Sequence, residues 1–249
     1  MDADIKIFQA FHKPFVTPRH TNWITPITVG SFIDHTFLSD QINESISSLN
    51  PFYCELTALY WIWKNSNNSY VGLYHYRRYL SFLPHETTAK HINAFSVTPS
   101  EHNIQYLSSD SQLDALNLKL KFFEIIIPRR FPCFPSVSED YLAQHEKEPW
   151  LAFLEEVKLY FPFSTPPEIY FSIVDRSPLC NVFATRKSIF DSYCADLFTV
   201  LDRVFQKVGP KFSEANSNRY PGFLAERFLG YWIYIKRLNF CEVPMILIQ

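Results

Sequence analysis

ELTALYWIWKNSNNSYVGLYHYRRYL, residues 55–80, contains the signals of a helix, a polar turn and a strand in immediate succession. Apolar side chains recur at helical spacing in its first half. Asn50 suits the N-cap and Pro51 the first helical position, so the pattern predicts a helix that ends at Asn65. After the polar turn, the aromatic and β-branched residues 70–76 favour a strand. The stretch therefore predicts an α-turn-β unit, the building block of an α/β fold.

The rest of the chain alternates between strand-like and helix-like segments. Buried strands are predicted at 5–11, 24–30, 122–128, 169–175, 181–187 and 243–249. Helices are predicted around 108–118, from Ser136 onward with an interruption at Pro149, over 189–208, and from Pro221. This alternation, without repeats or a low-complexity linker, indicates an α/β protein with a mostly parallel central sheet and helices on both faces, in a single domain over 1–249.

The composition excludes several classes of function. The chain carries 23 basic and 25 acidic residues, for a formal net charge of -2, so no global positive field would hold a polyanion such as nucleic acid. Its five glycines are too dispersed to form a G-x-G-x-x-G fingerprint or a Walker-type phosphate loop. Dinucleotide-binding and P-loop functions are therefore not expected, and any basic site must be local.

The five cysteines, Cys54, Cys133, Cys180, Cys194 and Cys241, form no C-x-x-C pair. This pattern is typical of reduced thiols in a cytosolic protein without a zinc site. The first residues include two acids and a lysine where a signal peptide would need a basic start and an apolar core. The apolar runs are shorter than the roughly 20 residues that span a bilayer. We expect a cytoplasmic location, with peripheral attachment at the inner face of the membrane left open.

Cationic residues follow three of the predicted strands directly. They are His12-Lys13, Tyr76-Arg77-Arg78 and Arg129-Arg130. Ligands of open α/β sheets bind beyond the carboxyl ends of the strands, so these side chains would converge on one crevice if the strands are neighbours. Guanidinium groups pair bidentately with phosphate, which makes a phosphorylated small molecule the predicted ligand.

Each of these positions also has a plain structural interpretation. Arg77 and Arg78 fit a solvated strand end, with one arginine paired to a carboxylate such as Glu55. Arg129 and its neighbour fit a solvated loop. His75 lies in the alternating pattern of its strand and fits a hydrogen-bonded core histidine. The residues alone leave both interpretations open.

The helix-turn-strand unit also has a family resemblance. Asn50, Tyr53, Cys54, ELTALYWIWKN and YVGLYHYRRYL resemble the signature of the family called domain of unknown function 4422. Similar segments include FHKP (11–14), PITVG (26–30), the IIP strand (126–128) with its following arginine, SVSEDYLAQH (136–145), NVFATRKSIFDSYCADLF (181–198) and GFLAERFLGYWI (222–233). The resemblance runs from about residue 5 to 236. This family is associated with capsular and exopolysaccharide synthesis and is placed among glycosyltransferases of the GT-A fold.

The resemblance implies a hexosyltransferase that moves a hexose from a nucleotide-sugar, expected to be a UDP-sugar, to a saccharide or lipid-linked saccharide acceptor. The product would be a capsular, exopolysaccharide or O-antigen-type glycan. A GT-A-like, Rossmann-like domain is implied, with a nucleotide-sugar-binding half over about 1–130 and an acceptor half over about 131–249. The residues expected to bind the donor are His12, Lys13, His75, Tyr76, Arg77, Arg78 and Arg129.

The resemblance also raises the question of a metal cofactor. In many GT-A enzymes the strand equivalent to 70–76 ends in a D-x-D motif that holds a divalent metal on the diphosphate. Here HYRRY occupies that place, and the only D-x-D, Asp2 to Asp4, precedes the first strand. We therefore expect no metal ligands, with Arg77 and Arg78 offsetting the diphosphate charge directly. A divalent Mn²⁺ or Mg²⁺ ion stays the alternative.

Glycosyl transfer with inversion needs a base that takes the proton of the acceptor hydroxyl. Glu226, inside GFLAER, is the first candidate for this catalytic role, Asp175 the second and Glu55 the third. Glu226 has an alternative interpretation as a buried ion pair with Arg227 or Arg219. A retaining mechanism would change these roles.

Two other functions stay open at this point. One is a non-catalytic module in which the tyrosine-arginine cluster binds sugar phosphates or nucleic acid. The acidic net charge argues against nucleic acid as the partner. The other is an inactive member of the family.

Overall fold

Ten of the described strands form one sheet, and two more pair with each other. The structure is a computed structural model that describes residues 4–18, 21–84, 94–210 and 217–249. The strands are β1 (Ile5–Phe11), β2 (Ile24–Thr28), β3 (Leu38–Ser39), β4 (Tyr70–His75), β5 (Arg78–Leu80), β6 (Ala94–Val97), β7 (Ile125–Pro128), β8 (Phe131–Pro132), β9 (Arg176–Ser177), β10 (Phe183–Arg186), β11 (Phe240–Val243) and β12 (Met245–Ile248).

The helices lie between these strands along the chain. They are α1 (Asn50–Tyr53), α2 (Leu56–Asn65), α3 (Glu101–Leu107), α4 (Asp110–Phe122), α5 (Val137–Gln144), α6 (Lys147–Tyr160), α7 (Pro167–Ile173), α8 (Lys187–Val208) and α9 (Tyr220–Lys236), with 3₁₀ turns at Ser47–Leu49 and Ser217–Arg219. Across the described ranges, no helix combines the length and the apolar composition that crossing a bilayer requires.

The strand order of the main sheet is β11-β7-β10-β4-β1-β2-β3, and β5, β12 and β6 extend the sheet from β4. Along this path of described strands, β1 is parallel to β2 and β4, β2 to β3, and β7 to β11. Strand β10 is antiparallel to both of its neighbours, β4 and β7. Six of the seven strands therefore point the same way, which confirms the predicted α/β class with a mostly parallel sheet.

Helices cover both faces of the sheet. Successive residues of a strand point to opposite sides, so each strand contributes side chains to both cores. On one face Phe8, Leu73 and Phe183 share a core with α2, α8 and α9. On the other face Ile7 and Ile126 share a core with α3 and α4. Each such side chain contributes about 1.5–3 kcal/mol when it is fully buried. The predicted placement of helices on both faces is confirmed.

A break at Cys54 divides the helix that was predicted over 50–65. Cys54 has a φ of 52° and a ψ of -129°, which no helical residue adopts, so α1 ends before it and α2 begins after it. The side chain of Asn50 donates to the Cys54 carbonyl oxygen at 2.8 Å. Asn50 therefore stabilises the break instead of capping a continuous helix.

The prediction of a strand at 169–175 is wrong, because most of that segment is helix α7. Pro167 and Phe171, four positions apart, are buried, whereas Ile169 and Ile173 are exposed. That burial has helical spacing, and a short apolar run cannot be assigned from its composition alone. Asp175 therefore follows a helix and not a buried strand.

Pro149 does not interrupt the helical region after Ser136 as predicted. It lies in the first turn of α6, where a missing N–H costs no hydrogen bond. The break lies instead at His145 and Glu146, between α5 and α6. The cap predicted at Ser136 is confirmed, since its hydroxyl accepts from the Glu139 backbone N–H at 3.3 Å.

Gly72 allows β4 and β10 to lie close together. A Cβ atom at this position would be 2.5 Å from the Phe183 carbonyl oxygen and 2.7 Å from Cδ1 of Ile7. Both distances are far below van der Waals contact, and the first involves backbone that cannot swing away. Glycine is therefore required where β10 joins the sheet.

Candidate active site

Strands β1 and β4 deliver most of the cationic side chains to one edge of the sheet. They are parallel and in register up to the pair Ala10 and His75. His12 and Lys13, which follow β1, therefore emerge beside the turn that leads from His75 to Arg78 and joins β4 to β5. Two of the three clusters that the sequence predicts for this edge are brought together.

Gln9 holds this turn in place from inside the sheet. Its side chain is fully buried, and Nε2 donates to the carbonyl oxygens of His75 at 3.4 Å and of Tyr76 at 3.3 Å. An unpaired buried carbonyl costs about 1–3 kcal/mol, so these bonds favour the observed turn over alternatives. The two hydrogen bonds from Gln9 therefore fix the backbone of the turn that carries Arg77 and Arg78.

Tyr76 organises the side chains around the turn. Its ring is only 3% exposed and packs edge-on against His12, with 4.8 Å between centroids. The Lys13 ammonium lies 5.4 Å and the Arg77 guanidinium 5.6 Å from the centre of the same ring. Cation–π attraction of this kind is worth about 0.5–2 kcal/mol. Tyr76 thus supports the cations, and its buried ring is not free to stack on a nucleotide base.

The histidines of the site are held in the neutral form. Burial and the charge of Arg78 lower the pKa of His75 to about 2. Burial and the charge of Lys13 lower the pKa of His12. Within the described chain, Nδ1 of His75 and Nε of Arg77 are buried without a hydrogen-bond partner. Buried polar atoms of this kind are uncommon and occur at functional sites.

The break between α1 and α2 forms a second wall of the site. Because the backbone turns at Cys54, Glu55 precedes α2 and its side chain lies toward the turn of β4. Cys54 Sγ accepts from Nε of Arg219 at 3.0 Å. Burial raises the pKa of the Cys54 thiol to about 11, so the group is a protonated thiol and not a nucleophilic thiolate.

The N-terminal part of α9 forms the third wall. Arg219, Gly222, Phe223 and Glu226 recur at the three- and four-residue spacing of one helix face. Arg219 precedes the helix and reaches across to Cys54, while Glu226 lies one turn deeper than Gly222 and Phe223. This face brings a further cation and a second carboxylate to the site.

Glu226 forms a buried ion pair with Arg227, which was the alternative interpretation of this residue from the sequence. Its Oε2 accepts from the guanidinium of Arg227 at 2.8 Å. Arg227 is itself 2% exposed and also lies 3.6 Å from Oδ2 of Asp140. Burial raises the pKa of Glu226. One oxygen of Glu226 is therefore committed to a buried structural network behind the site.

The three walls enclose a cleft of two connected parts. The first part, of about 430 Å³, is lined by His12, Lys13, Cys54, Glu55, His75, Tyr76, Arg77, Arg78, Arg219, Gly222, Phe223 and Glu226. The second, of about 340 Å³, is lined by Ala10, His12, Val29, Ser31, Asn50, Pro51, Cys54, Glu55, His75 and Arg219. We call these the cationic part and the polar part; His12, Cys54, Glu55, His75 and Arg219 line both.

The cationic part suits a ligand with several negative charges. Four cations, Lys13, Arg77, Arg78 and Arg219, line it together with two carboxylates, Glu55 and Glu226, and Glu226 is already paired with Arg227 behind the site. A diphosphate ester matches this balance, and guanidinium forks match its oxygen geometry. Among the described residues, no three His, Cys, Asp or Glu side chains cluster in a way that could hold a metal ion.

Most of the site residues predicted from the sequence line the cationic part. His12, Lys13, His75, Tyr76, Arg77, Arg78 and Glu226 all do so. Cys54, Arg219, Gly222 and Phe223 also line it but carried no local signal of a strand end or of a catalytic motif. Glu55, the third candidate for the base, lines both parts.

Arg129 and Asp175 are not among the described residues that line the cleft. Arg129 follows β7, which β10 separates from β4, and its backbone N–H donates to the Val243 carbonyl at 2.8 Å. Its neighbour Arg130 pairs with Glu242 at 2.7 Å. Asp175 is exposed, and its carbonyl accepts from the Cys133 N–H at 2.7 Å beside β8. The three strands that end in cationic residues therefore do not all converge on one crevice, because β10 lies between β4 and β7.

A solved structure has the same fold as this chain. It is described as the apo structure of the WbbM bifunctional glycosyltransferase, and it superposes with a TM-score of 0.86 at 24% sequence identity. The match covers 99% of this chain and 45% of that protein, so this chain spans less than half of the length of WbbM. This chain is thus a mixed α/β protein, and part of a glycosyltransferase has the same fold.

The chain belongs to the family described as domain of unknown function 4422, whose family model matches residues 6–237. The match runs from β1 to the end of α9, so it includes all three walls of the cleft but not β11 and β12. The resemblance read from the helix-turn-strand unit is thereby confirmed at the level of the family. No curated protein matches the chain.

Proposed function

We propose that this protein is a glycosyltransferase that takes a sugar from a nucleoside-diphosphate donor and transfers it to a saccharide acceptor. The cationic part of the cleft carries this proposal. It lies beyond the carboxyl ends of two adjacent parallel strands, where α/β proteins bind their ligands, and four cations surround a space large enough for a small phosphorylated molecule.

The two parts of the cleft match the two chemical halves of such a donor. Arg77, Arg78, Lys13 and Arg219 would bind the diphosphate in the cationic part. The polar part offers the hydroxyl of Ser31 and the apolar side chains of Ala10 and Val29, which suit a nucleoside. A nucleotide-sugar would lie across both parts, with its diphosphate beside the residues that they share.

The same cations would assist the reaction itself. As the bond between the anomeric carbon and the diphosphate oxygen breaks, negative charge grows on the leaving diphosphate. Guanidinium groups held in place by Tyr76 and Gln9 would stabilise that charge without having to reorganise. Among the described residues, the side chains around the cleft do not form a set that could hold a metal ion, so the arginines and Lys13 would offset this charge themselves.

The comparisons support this proposal at the level of the fold. A protein of the same fold is called a bifunctional glycosyltransferase, and this chain matches less than half of it. The activity, donor and acceptor are therefore proposed for this chain and are not transferred from WbbM. We propose a UDP-hexose as donor, and as acceptor a saccharide, free or lipid-linked, of a capsular, exopolysaccharide or O-antigen-type glycan.

The first prediction concerns Arg77 and Arg78. Wild-type protein is expected to bind one of a panel of nucleotide-sugars and to release nucleoside diphosphate from it, slowly without an acceptor and faster with one. Loss of a charge-assisted bond to phosphate costs about 1.5–3 kcal/mol, so Arg77→Ala with Arg78→Ala should weaken donor binding by more than 100-fold. Isothermal titration calorimetry would measure the binding and coupled detection of the diphosphate the turnover.

The control is the double variant Arg176→Ala with Arg186→Ala. Both arginines are exposed and neither lines the cleft, so the loss of charge is the same but donor binding should be unchanged. All titrations would be run in EDTA and again with Mn²⁺. Strict dependence on Mn²⁺ would contradict the arginine-only site. Salt-sensitive binding of oligonucleotides, with no response to any nucleotide-sugar, would contradict the proposed function as a whole.

A further inference from the structure

We propose that Glu55, and not Glu226, is the general base of this reaction, and that Asn181 is the residue that positions it. This inference rests on the proposed function, because a base is needed only if a hydroxyl or water attacks the donor. It is carried by four observations: the backbone break that exposes Glu55, its free oxygen, the geometry of Asn181 and the commitment of Glu226 to Arg227.

The break at Cys54 is what places Glu55 in the cleft. In a continuous helix over 50–65, the side chain of residue 55 would follow the helical rotation of its neighbours. Instead the backbone turns at Cys54, in a conformation that costs about 1–3 kcal/mol for a residue other than glycine. Such strain persists only where surrounding bonds maintain it, here the bond from Asn50 Nδ2 to the Cys54 carbonyl. The result is that Glu55 lines both parts of the cleft.

Asn181 fixes the Glu55 carboxylate by direct contact. Its side-chain amide donates to Glu55 Oε1 at 2.9 Å and lies 3.2 Å from the carbonyl oxygen of Gly222 in α9. Asn181 is 1% exposed, and its backbone has a φ of 50°, in the left-handed region that asparagine tolerates better than most residues. One buried amide therefore joins the break before α2 to the start of α9.

Only one of the two oxygens of Glu55 is used in this way. Within the part of the chain that the structure describes, Oε2 of Glu55 has no hydrogen-bond or ion-pair partner. A carboxylate with one oxygen fixed and the other facing a cleft has the arrangement of a general base. Glu226 also has one oxygen engaged, but its partner is the buried guanidinium of Arg227 at 2.8 Å, whereas the partner of Glu55 is a neutral amide.

In the proposed step, the acceptor hydroxyl attacks the donor sugar while Glu55 takes its proton. The oxygen of the acceptor hydroxyl forms a bond to the anomeric carbon, and its proton passes to Oε2 of Glu55. The bond from the anomeric carbon to the diphosphate oxygen breaks, and its electron pair leaves with the nucleoside diphosphate beside Arg77 and Arg78. Glu55 then releases its proton to solvent. Without an acceptor, water takes the place of the hydroxyl and the products are the free sugar and the nucleoside diphosphate.

The experiment compares Glu55→Gln, Asn181→Gly and Asn181→Asp with wild type, measuring donor Kd by calorimetry and kcat and KM from nucleoside-diphosphate release. General bases contribute about 10²–10⁴-fold, so Glu55→Gln should lose that factor in kcat with donor Kd changed by less than about 3-fold. Asn181→Gly keeps the left-handed backbone but removes the amide, and should lower kcat by about 10-fold or more at nearly constant Kd. Asn181→Asp keeps the size but cannot donate, and should behave similarly.

The matched control is Asn43→Gly. Asn43 is exposed, has a φ of 58° and lies outside the cleft, so the same substitution at a similar backbone conformation should leave kcat unchanged. Chemical rescue provides a readout that a structural role would not change. Glu55→Ala should regain turnover with added sodium formate, because formate can enter the space left by the side chain and accept the proton.

The outcomes separate this inference from the proposed function. If wild type neither binds nor cleaves any nucleotide-sugar, the proposed function fails and the inference fails with it. If wild type is active, but Glu55→Gln keeps its kcat while Glu226→Gln loses it, only the assignment of the base is wrong. Equal losses of kcat in the Asn181 variants and in Asn43→Gly would overturn the positioning role. Weaker donor binding without a change in kcat in the Asn181 variants would also overturn the positioning role.

Discussion

At the scale of single residues, the cleft brings four cations close together. Like charges at short range repel, and the protein offsets this with the ring of Tyr76 and with the carboxylates of Glu55 and Glu226. The neutral form of His75 and His12 avoids adding two more charges. A bound dianion would relieve the remaining repulsion, so ligand binding and stability are expected to be linked in this molecule.

The second prediction uses His75. In the folded protein it stays neutral down to a pKa of about 2, whereas in the unfolded chain it is protonated below its ordinary pKa of about 6.5. The unfolded state therefore binds more protons below pH 6.5. The free energy of unfolding should fall as pH falls through this range, by at most about 1.4 kcal/mol per pH unit from this residue.

His75→Gln, which cannot be protonated, should remove that part of the pH dependence. Urea unfolding at pH 7.5, 6.0 and 5.0 would measure it. Above pH 6.5 the two proteins should differ by a constant amount, and below it wild type should lose stability faster than the variant. Parallel curves from pH 7.5 to 5.0 would show that folding does not lower the pKa of His75.

At the scale of secondary-structure elements, strand β10 decides which residues meet. It enters the sheet antiparallel between β4 and β7, so its N-terminal end lies at the same edge as the carboxyl ends of its neighbours. Asn181, just before β10, can therefore reach Glu55, while Arg129, after β7, is displaced by one strand.

The sequence predicted those parts of the site that depend on local pattern. The cationic residues after β1 and β4 were predictable because a buried strand followed by basic residues is visible within ten positions. The displacement of Arg129 was not, because it depends on a strand from the other half of the chain that inserts between β4 and β7. Asn181 and Arg219 were not predictable for the same reason, since their contacts to Glu55 and Cys54 lie far away in sequence.

The third prediction tests the close approach of β4 and β10. Gly72→Ala puts a Cβ atom 2.5 Å from the Phe183 carbonyl oxygen, so one of the two strands must move. We expect a loss of about 3 kcal/mol in the free energy of unfolding, the upper end of the usual range for overpacked positions. Thermal and urea unfolding would measure the loss.

Gly222→Ala is the matched control for this prediction. It is a glycine-to-alanine change in helix α9 whose new Cβ would have its closest neighbour, the Cβ of Cys54, at 3.9 Å. Alanine favours a helix over glycine by up to about 1 kcal/mol, so this variant should be as stable as wild type or more stable. If both variants lose the same stability, the spacing of β4 and β10 does not depend on Gly72.

At the scale of the whole molecule, the two halves predicted from the sequence share one sheet. Strand β4 of the first half pairs with β10 of the second, and β5 and β6 pair with β12 near the end of the described chain. The cleft likewise takes Glu55 and the arginine turn from the first half and Arg219 and Glu226 from the second. The roles of residues 1–130 in donor binding and 131–249 in acceptor binding stay predictions.

The fourth prediction follows from this sharing. A fragment of residues 1–130 would leave β4 without β10 and β5 without β12, which exposes unpaired strand edges and the apolar residues beneath α8 and α9. We expect it to be unfolded or aggregated by far-UV circular dichroism and size-exclusion chromatography, and to bind no donor. A folded, donor-binding fragment would show that the first half is an independent unit.

The hydrogen bond between Asn181 and Glu55 joins residues 126 positions apart in the chain. During translation at about 5–20 residues per second, Asn181 would leave the ribosome roughly 6–25 s after Glu55. For most of that interval the nascent chain carries the arginine turn but lacks the amide that orients the carboxylate. On the proposed mechanism, cleavage of the donor would begin only after Asn181 has been synthesised, so shorter nascent chains would not consume nucleotide-sugar.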